Sequence, residues 1–270
     1  VILVLPMQAA GFAAFEDPES VANPLIFIGM LLVFTLILLL LIRFGGRRFI
    51  ALFIGFAIFM TFLYIFSALS LLALGATDAA AISTLIAAAA ATALIYLYPE
   101  WYVIDILGVL ISAGVASIFG VSLAILPVLV LLVLLAIYDA ISVYRTKHMI
   151  TLAEGVLETK APIMVVVPKR ADYSFRREGL NISDGEERGA FVMGMGDLIM
   201  PTILVTSSHV FVDAPAVLWT LSAPTLGAMA GSLAGLAVLL RFVNRGNPQA
   251  GLPPLNGGAI LGFLVGAVLA

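Results

Sequence analysis

Asp139 and Asp197 are acids set inside apolar stretches: Asp139 near the end of a run over residues 121–144, Asp197 early in a run over 190–211. An ionisable residue in such a run is costly in a bilayer, so it faces a partner or a water-filled cavity. Two carboxylates brought within a few ångströms of each other share a proton, because both cannot easily ionise side by side. The ionised member can then take a proton from water while the protonated member donates to a carbonyl, which is peptide hydrolysis without a metal. Gly194 and Gly196 remove side chains beside Asp197 and would admit a neighbouring helix or an extended peptide. Pro201 cannot give Asp197's carbonyl its usual helical donor, which favours a kink or hydration there. Tyr138, next to the first acid, could pack at the cavity or donate a hydrogen bond. Taken singly, each of these glycines and prolines is equally explained by ordinary membrane-helix composition.

The elements that must carry these acids follow from composition. With 63% hydrophobic and 11% charged residues in a chain of 270, there is too little polar surface for a soluble domain. The expected fold is an all-α polytopic membrane protein of nine transmembrane helices, the first truncated, with a short β-strand in the loop between spans six and seven. Residues 1–15 are expected to be the end of the first span rather than a signal-peptide core. Apolar runs follow at 24–42, 49–74, 79–97, 104–119, 121–144, 190–211, about 216–240 and 252–270. Three regions result: residues 1–144 with spans one to six, a polar loop over 145–188, and residues 189–270 with spans seven to nine. Within the loop, Ile163, Met164, Val165, Val166 and Val167 lie between Pro162 and Pro168, with strong strand propensity and little room for a helix.

Charge tests the topology. All 13 Lys and Arg residues follow even-numbered spans, at Arg43 to Arg48, in the 145–188 loop, and at Arg241 and Arg245. The opposite turns carry Glu16, Asp17, Glu19, Asp78 and Asp213 and no basic residue. The positive-inside rule then predicts a multi-pass protein of the cell membrane with its amino terminus cytoplasmic and its carboxyl terminus outside. On regular helices Asp139 lies ~9 Å from the cytoplasmic boundary and Asp197 ~13 Å, so consecutive antiparallel spans bring the acids to nearly one level.

Other chemistries are poorly served. The chain has no cysteine, which removes disulfides, thiol catalysis and cysteine metal sites. No cofactor and no metal is expected, HExxH is absent, and no nucleic-acid footprint is visible. Ser207 and Ser208 adjoin His209, but residues one apart on a helix do not face each other. His148 is expected to be solvated in the basic loop, and Asp105 near Trp101 to snorkel or cap. Gly227, Gly231 and Gly235, with Gly258, Gly262 and Gly266, form small-residue ridges for helix packing or for contacts in a homo-oligomer. A proton- or cation-coupled transporter or channel remains the alternative from another class, since paired acids and broken helices also build ion sites.

Tyr138-Asp139 late in span six, Gly194-Met195-Gly196-Asp197 early in span seven and Pro253-Pro254-Leu255 opening span nine resemble the YD, GxGD and PAL signatures of the presenilin and signal-peptide-peptidase family. The third departs from the pattern, with Pro254 where the family has Ala. The prepilin peptidases also carry GxGD, but their motif continues to a Lys two residues later, where this chain has Ile199. The resemblance implies an intramembrane aspartyl endopeptidase with Asp139 and Asp197 catalytic and Tyr138, Gly194, Gly196, Pro253, Pro254 and Leu255 in support. The orientation is presenilin-like, which implies transmembrane-helix substrates whose amino termini face outside. Short loops resemble an archaeal or bacterial homologue that works in the lipid bilayer without obligate partner subunits. The strand 163–167 would pair with an unwound substrate by strand addition.

Overall fold

The computed structural model describes residues 2–146, 164–170, 172–178, 190–243 and 250–270. Among them, six helices are long and apolar enough to cross a membrane: Asn23–Leu40, Arg48–Leu74, Asp78–Leu97, Trp101–Ser122, Ile125–Arg145 and Ala223–Val243. In chain order the elements are α1 (Val4–Ala9), α2 (Asn23–Leu40), α3 (Gly46–Leu74), α4 (Asp78–Leu97), α5 (Trp101–Ser122) and α6 (Ile125–Ile141). Then come strand β1 (Met164–Pro168), a single turn α7 (Phe175–Glu178), strand β2 (Ala190–Gly194) and α8 (Met195–Phe211). A small hairpin of β3 (Ala216–Leu218) and β4 (Leu221–Ser222) leads to α9 (Ala223–Val243) and α10 (Leu252–Val268). The helices turn large apolar side chains outward, Leu25, Leu52 and Ile82 among them, as lipid-facing surfaces do.

Local chemistry sets the boundaries. A π turn over Leu41–Gly45 reverses the chain between α2 and α3, and the Phe34 and Phe53 rings meet at 5.4 Å across it. The fifth helix runs past the expected residue 119 to Ser122, and the sixth begins at Ile125 rather than 121. Leu123 and Ala124 are extended between them, and Pro127 sits in the first turn of α6, where a missing N–H costs nothing. At its other end α6 passes into a π turn, Ser142–Thr146.

The tightest packing is between α9 and α10. A Cβ on Gly231 would strike the Gly258 carbonyl oxygen, one on Gly227 that of Gly262, and the reverse pairs are equally close. Both glycine ridges are therefore consumed inside the chain, and they carry no argument for a homo-oligomer. Beside this pair, a buried cluster joins α2, α6, α8 and α10 through Phe27, Leu131, Leu132, Leu135, Ile203 and Phe263.

The loop strand is described over Met164–Pro168, one residue past the expected end, and Ile163 lies outside the described residues. Its partner corrects the start of the helix expected over 190–211. Residues 190–194 form β2, antiparallel to β1 with Met164 opposite Gly194 and Pro168 opposite Ala190. Phe191 and Val192 favour strand over helix, and pairing satisfies the backbone groups that a helix would otherwise have to close internally. The ribbon rests on the start of α5 through a cluster of Ile104, Met164, Val166, Tyr173, Phe175 and Ala190.

Candidate active site

Asp139 is in the last turn of α6, and its side chain is 6% exposed. Asp197 is in the first turn of α8, half-buried, where the positive end of the helix favours an acid. The expectation that Asp197 lies nine residues into a helix is corrected: β2 precedes it and the helix begins at Met195. The two acids still share a level, because one closes a helix while the other opens the next.

They converge on one junction in the chain, the start of α10. The N–H of Leu252 donates to Asp139 Oδ2 at 3.0 Å. A Cβ built on the preceding Gly251 would stand 2.6 Å from Asp197 Oδ2 and 2.9 Å from its Cγ. Successive residues of one peptide thus touch the two carboxyls, and Asp139 lies close enough to act electrostatically on Asp197. Two further bonds tie this junction to the Asp139 segment: Ala250 N–H donates to the Tyr144 hydroxyl at 3.3 Å, and Asn256 Nδ2 donates to the Leu132 carbonyl at 3.0 Å.

The supporting residues divide. Pro253 and Pro254 follow Leu252 in the first turn of α10, whose N-cap is Gly251. Amides in a first turn have no helical acceptor, so the Pro254 that replaces the family Ala loses no hydrogen bond there. Leu255 is buried, and Pro254 and Leu255 press their backbones on Gly235 of α9. Gly194 caps α8 in extended conformation, and a Cβ there would lie 3.9 Å from Asp197 Oδ2. Gly196 has no neighbour within 4 Å of a Cβ position and is exposed, so among the described residues no helix packs against it. Tyr138 is half-buried beside Asp139, about 100° around the helix from it.

Gly251, Tyr144 and Asn256 were missed in the sequence. Only Gly251 left a trace, as a glycine immediately before the Leu252-Pro253-Pro254 start of a helix. Asp105, expected to snorkel or cap, accepts a hydrogen bond from Val166 N–H at 2.8 Å. Ser207 gives its hydroxyl proton to the Leu123 carbonyl at 2.7 Å and Ser208 bonds Val205 and Thr225, which leaves no serine nucleophile paired with His209. His148 lies outside the described residues.

A family model described as signal-peptide peptidase, presenilin aspartyl protease, matches residues 1–270. The chain belongs to this family. A presenilin family intramembrane aspartate protease solved in the P2 space group is 70% identical, with 100% of this chain and 92% of that one covered and a TM-score of 0.73. The C222 form is 71% identical over 100% and 93% of the two chains, with a TM-score of 0.75. No curated protein matches the chain. The protein is thus a presenilin-family intramembrane aspartyl protease and a multi-pass integral membrane protein, and the transport alternative is set aside. Membrane proteins are the substrates that this family membership implies.

Proposed function

We propose that Asp139 and Asp197 of this protease form the water-activating dyad that hydrolyses peptide bonds within transmembrane segments. The observation that carries the assignment is the Gly251–Leu252 junction, which contacts both carboxyls at once. Held side by side, the pair shares one proton. The ionised carboxylate takes a proton from a water molecule as its oxygen attacks the scissile carbonyl carbon, and the protonated carboxyl donates to the carbonyl oxygen. The resulting diol collapses when a proton passes to the leaving nitrogen, which releases an amine and a carboxylic acid. The Leu252 N–H orients Asp139, while Tyr138, Gly194, Gly196, Pro253, Pro254 and Leu255 line or support the site. No metal or other cofactor enters these steps.

In this reading α1, the six long helices, α8 and α10 make nine spans. The amino terminus and the 145–188 loop are cytoplasmic, and the carboxyl terminus is outside, as the distribution of the 13 basic residues favours. Substrates enter with their amino termini outside, and no partner subunit is needed. Because helical peptide bonds are shielded, a substrate must unwind before cleavage, and the β1–β2 ribbon offers it an extended partner next to Asp197. Of the expected strand, Met164, Val165, Val166 and Val167 belong to β1. The edge favoured for the substrate is that of β2, which has no strand beside it among the described residues and runs directly into Met195 and Asp197.

The test is cleavage of a synthetic membrane-spanning peptide by the purified chain in liposomes. Asp139→Asn and Asp197→Asn should each lower the rate by about 10⁴-fold or more, with unchanged melting temperature, as loss of a member of a catalytic unit does. Appreciable cleavage by either variant would rule out the dyad.

A further inference from the structure

The two edges of the ribbon are not equivalent, and the difference traces to one side chain on a distant helix. In an antiparallel pair, successive residues turn their N–H and C=O groups alternately toward and away from the partner strand. Val166 gives its N–H to Asp105 Oδ1 at 2.8 Å, across 61 residues of sequence. By that alternation Met164, Val166 and Pro168 face away from β2, and their opposite numbers Gly194, Val192 and Ala190 face away from β1. On the outer edge of β1, the central donor is taken by a carboxylate and Pro168 has no N–H to offer. The side chains of Met164 and Val166 are buried against α5, so the helix also packs on one face of β1. On the outer edge of β2, Ala190 is buried, but Val192 is 41% exposed and Gly194 is exposed.

An unpaired strand edge is a template for any extended peptide, and a ribbon with two open edges could take a substrate on either side. Only one side is useful, because β2 ends at Gly194, three residues before Asp197. We infer that Asp105 is a positioning residue that closes the outer edge of β1, so that the extended part of a substrate adds to β2 alone and in one register beside the dyad. This rests on the strand-addition reading above. The contact is of the stronger kind, since a hydrogen bond to a charged acceptor contributes more than one between neutral groups. The ribbon does not depend on it for docking, because the apolar cluster under β1 and a second tie, Ser174 Oγ donating to Glu100 Oε1 at 2.8 Å, remain when Asp105 is changed.

The experiment follows both rate and position of cleavage of a synthetic membrane-spanning peptide, with products identified by mass spectrometry. Asp105→Ala should lower kcat by about tenfold, the scale of one charge-assisted hydrogen bond, and should spread the cut over neighbouring bonds. Asp105→Asn keeps an acceptor and should restore the wild-type positions. Asp105→Leu, which lacks an acceptor but suits an apolar helix, should behave as Ala does and replaces it if the alanine variant fails to fold. Unchanged cleavage positions in Ala or Leu overturn the inference whatever their rates, because general destabilisation slows cleavage without moving it. The same spread in Asn as in Ala overturns it too. A second substrate, N-methylated at one amide of the stretch beside β2, tests the underlying reading separately. If the wild-type protein cuts it at an unchanged rate and position, strand addition fails irrespective of Asp105.

Discussion

Two regions deliver the two aspartates, and they are built on opposite principles. The α9–α10 pair is backbone against backbone, with glycine ridges so close that no Cβ fits between them. It holds Gly251 and Leu252 at the start of α10 and through them reaches Asp139. Asp197 instead opens α8 directly after a two-stranded ribbon, and that ribbon is held to α5 by one apolar cluster and a few polar contacts. Close-packed elements transmit strain and hold geometry, whereas a ribbon with an open edge can accept another strand. The seam is thus suited to fixing half of the dyad and the ribbon to receiving substrate, with Asp197 at the point where the receiving strand becomes a spanning helix.

Breaking the seam gives the largest effect expected. Gly231→Leu drives a side chain into the Gly258 carbonyl and the Gly262 Cα on the opposite helix. Overpacking costs about 3 kcal/mol at the upper end of its usual range, and here the obstacle is backbone that cannot rotate away. The variant should lose activity and unfold well below the wild-type temperature in detergent. A wild-type melting temperature would mean that the two helices separate easily, and the contrast with the ribbon would lose its basis.

A smaller and more selective effect belongs at the place where the two regions meet. Gly251→Ala adds a methyl group 2.6 Å from Asp197 Oδ2, closer than carbon and oxygen tolerate, while the rest of α10 is untouched. Gly251 has φ −79° and ψ −41°, a conformation open to alanine, so the backbone itself is not strained. The expected result is a fall in kcat of about a hundredfold with folding unchanged, since displacing a catalytic group by about 1 Å has costs of that order. Wild-type turnover would show that Asp197 does not work against this junction.

The sequence was legible where physics repeats along the chain. Apolar runs follow from rules about bilayers, and the small-residue ridges were visible as spacing. Their destination was not, because Gly231 looks the same whether it meets another chain or Gly258 of its own. Residues 190–194, Ala-Phe-Val-Met-Gly, read as more of a helical run because a short apolar stretch has no period of its own, and only pairing with Met164–Pro168 makes it a strand. Asp105 was equally opaque: its partner is a backbone N–H 61 residues away, and backbone donors carry no sequence signature.

Pro254 sharpens the contrast at its smallest scale. In a ribbon each outward N–H matters to an incoming strand, but in the first turn of a helix the amides have no internal acceptor. At the start of α10 the N–H groups of Gly251 and Leu252 have no helical acceptor, and both turn to Asp139. Pro253 and Pro254 bring none, so they neither compete for the carboxyl nor leave a buried donor unpaired, and their fixed φ suits a helix start. Pro254→Ala, which restores the family residue, adds an N–H and some freedom in the unfolded chain. Its carbonyl, the atom that faces Gly235, is kept. The variant should therefore stay within about twofold of wild type in kcat and lose no more than about 1 kcal/mol of stability. A large change in either direction, read by turnover of the membrane-spanning peptide and by thermal melting, would mean that the proline ring itself shapes the wall opposite Asp197.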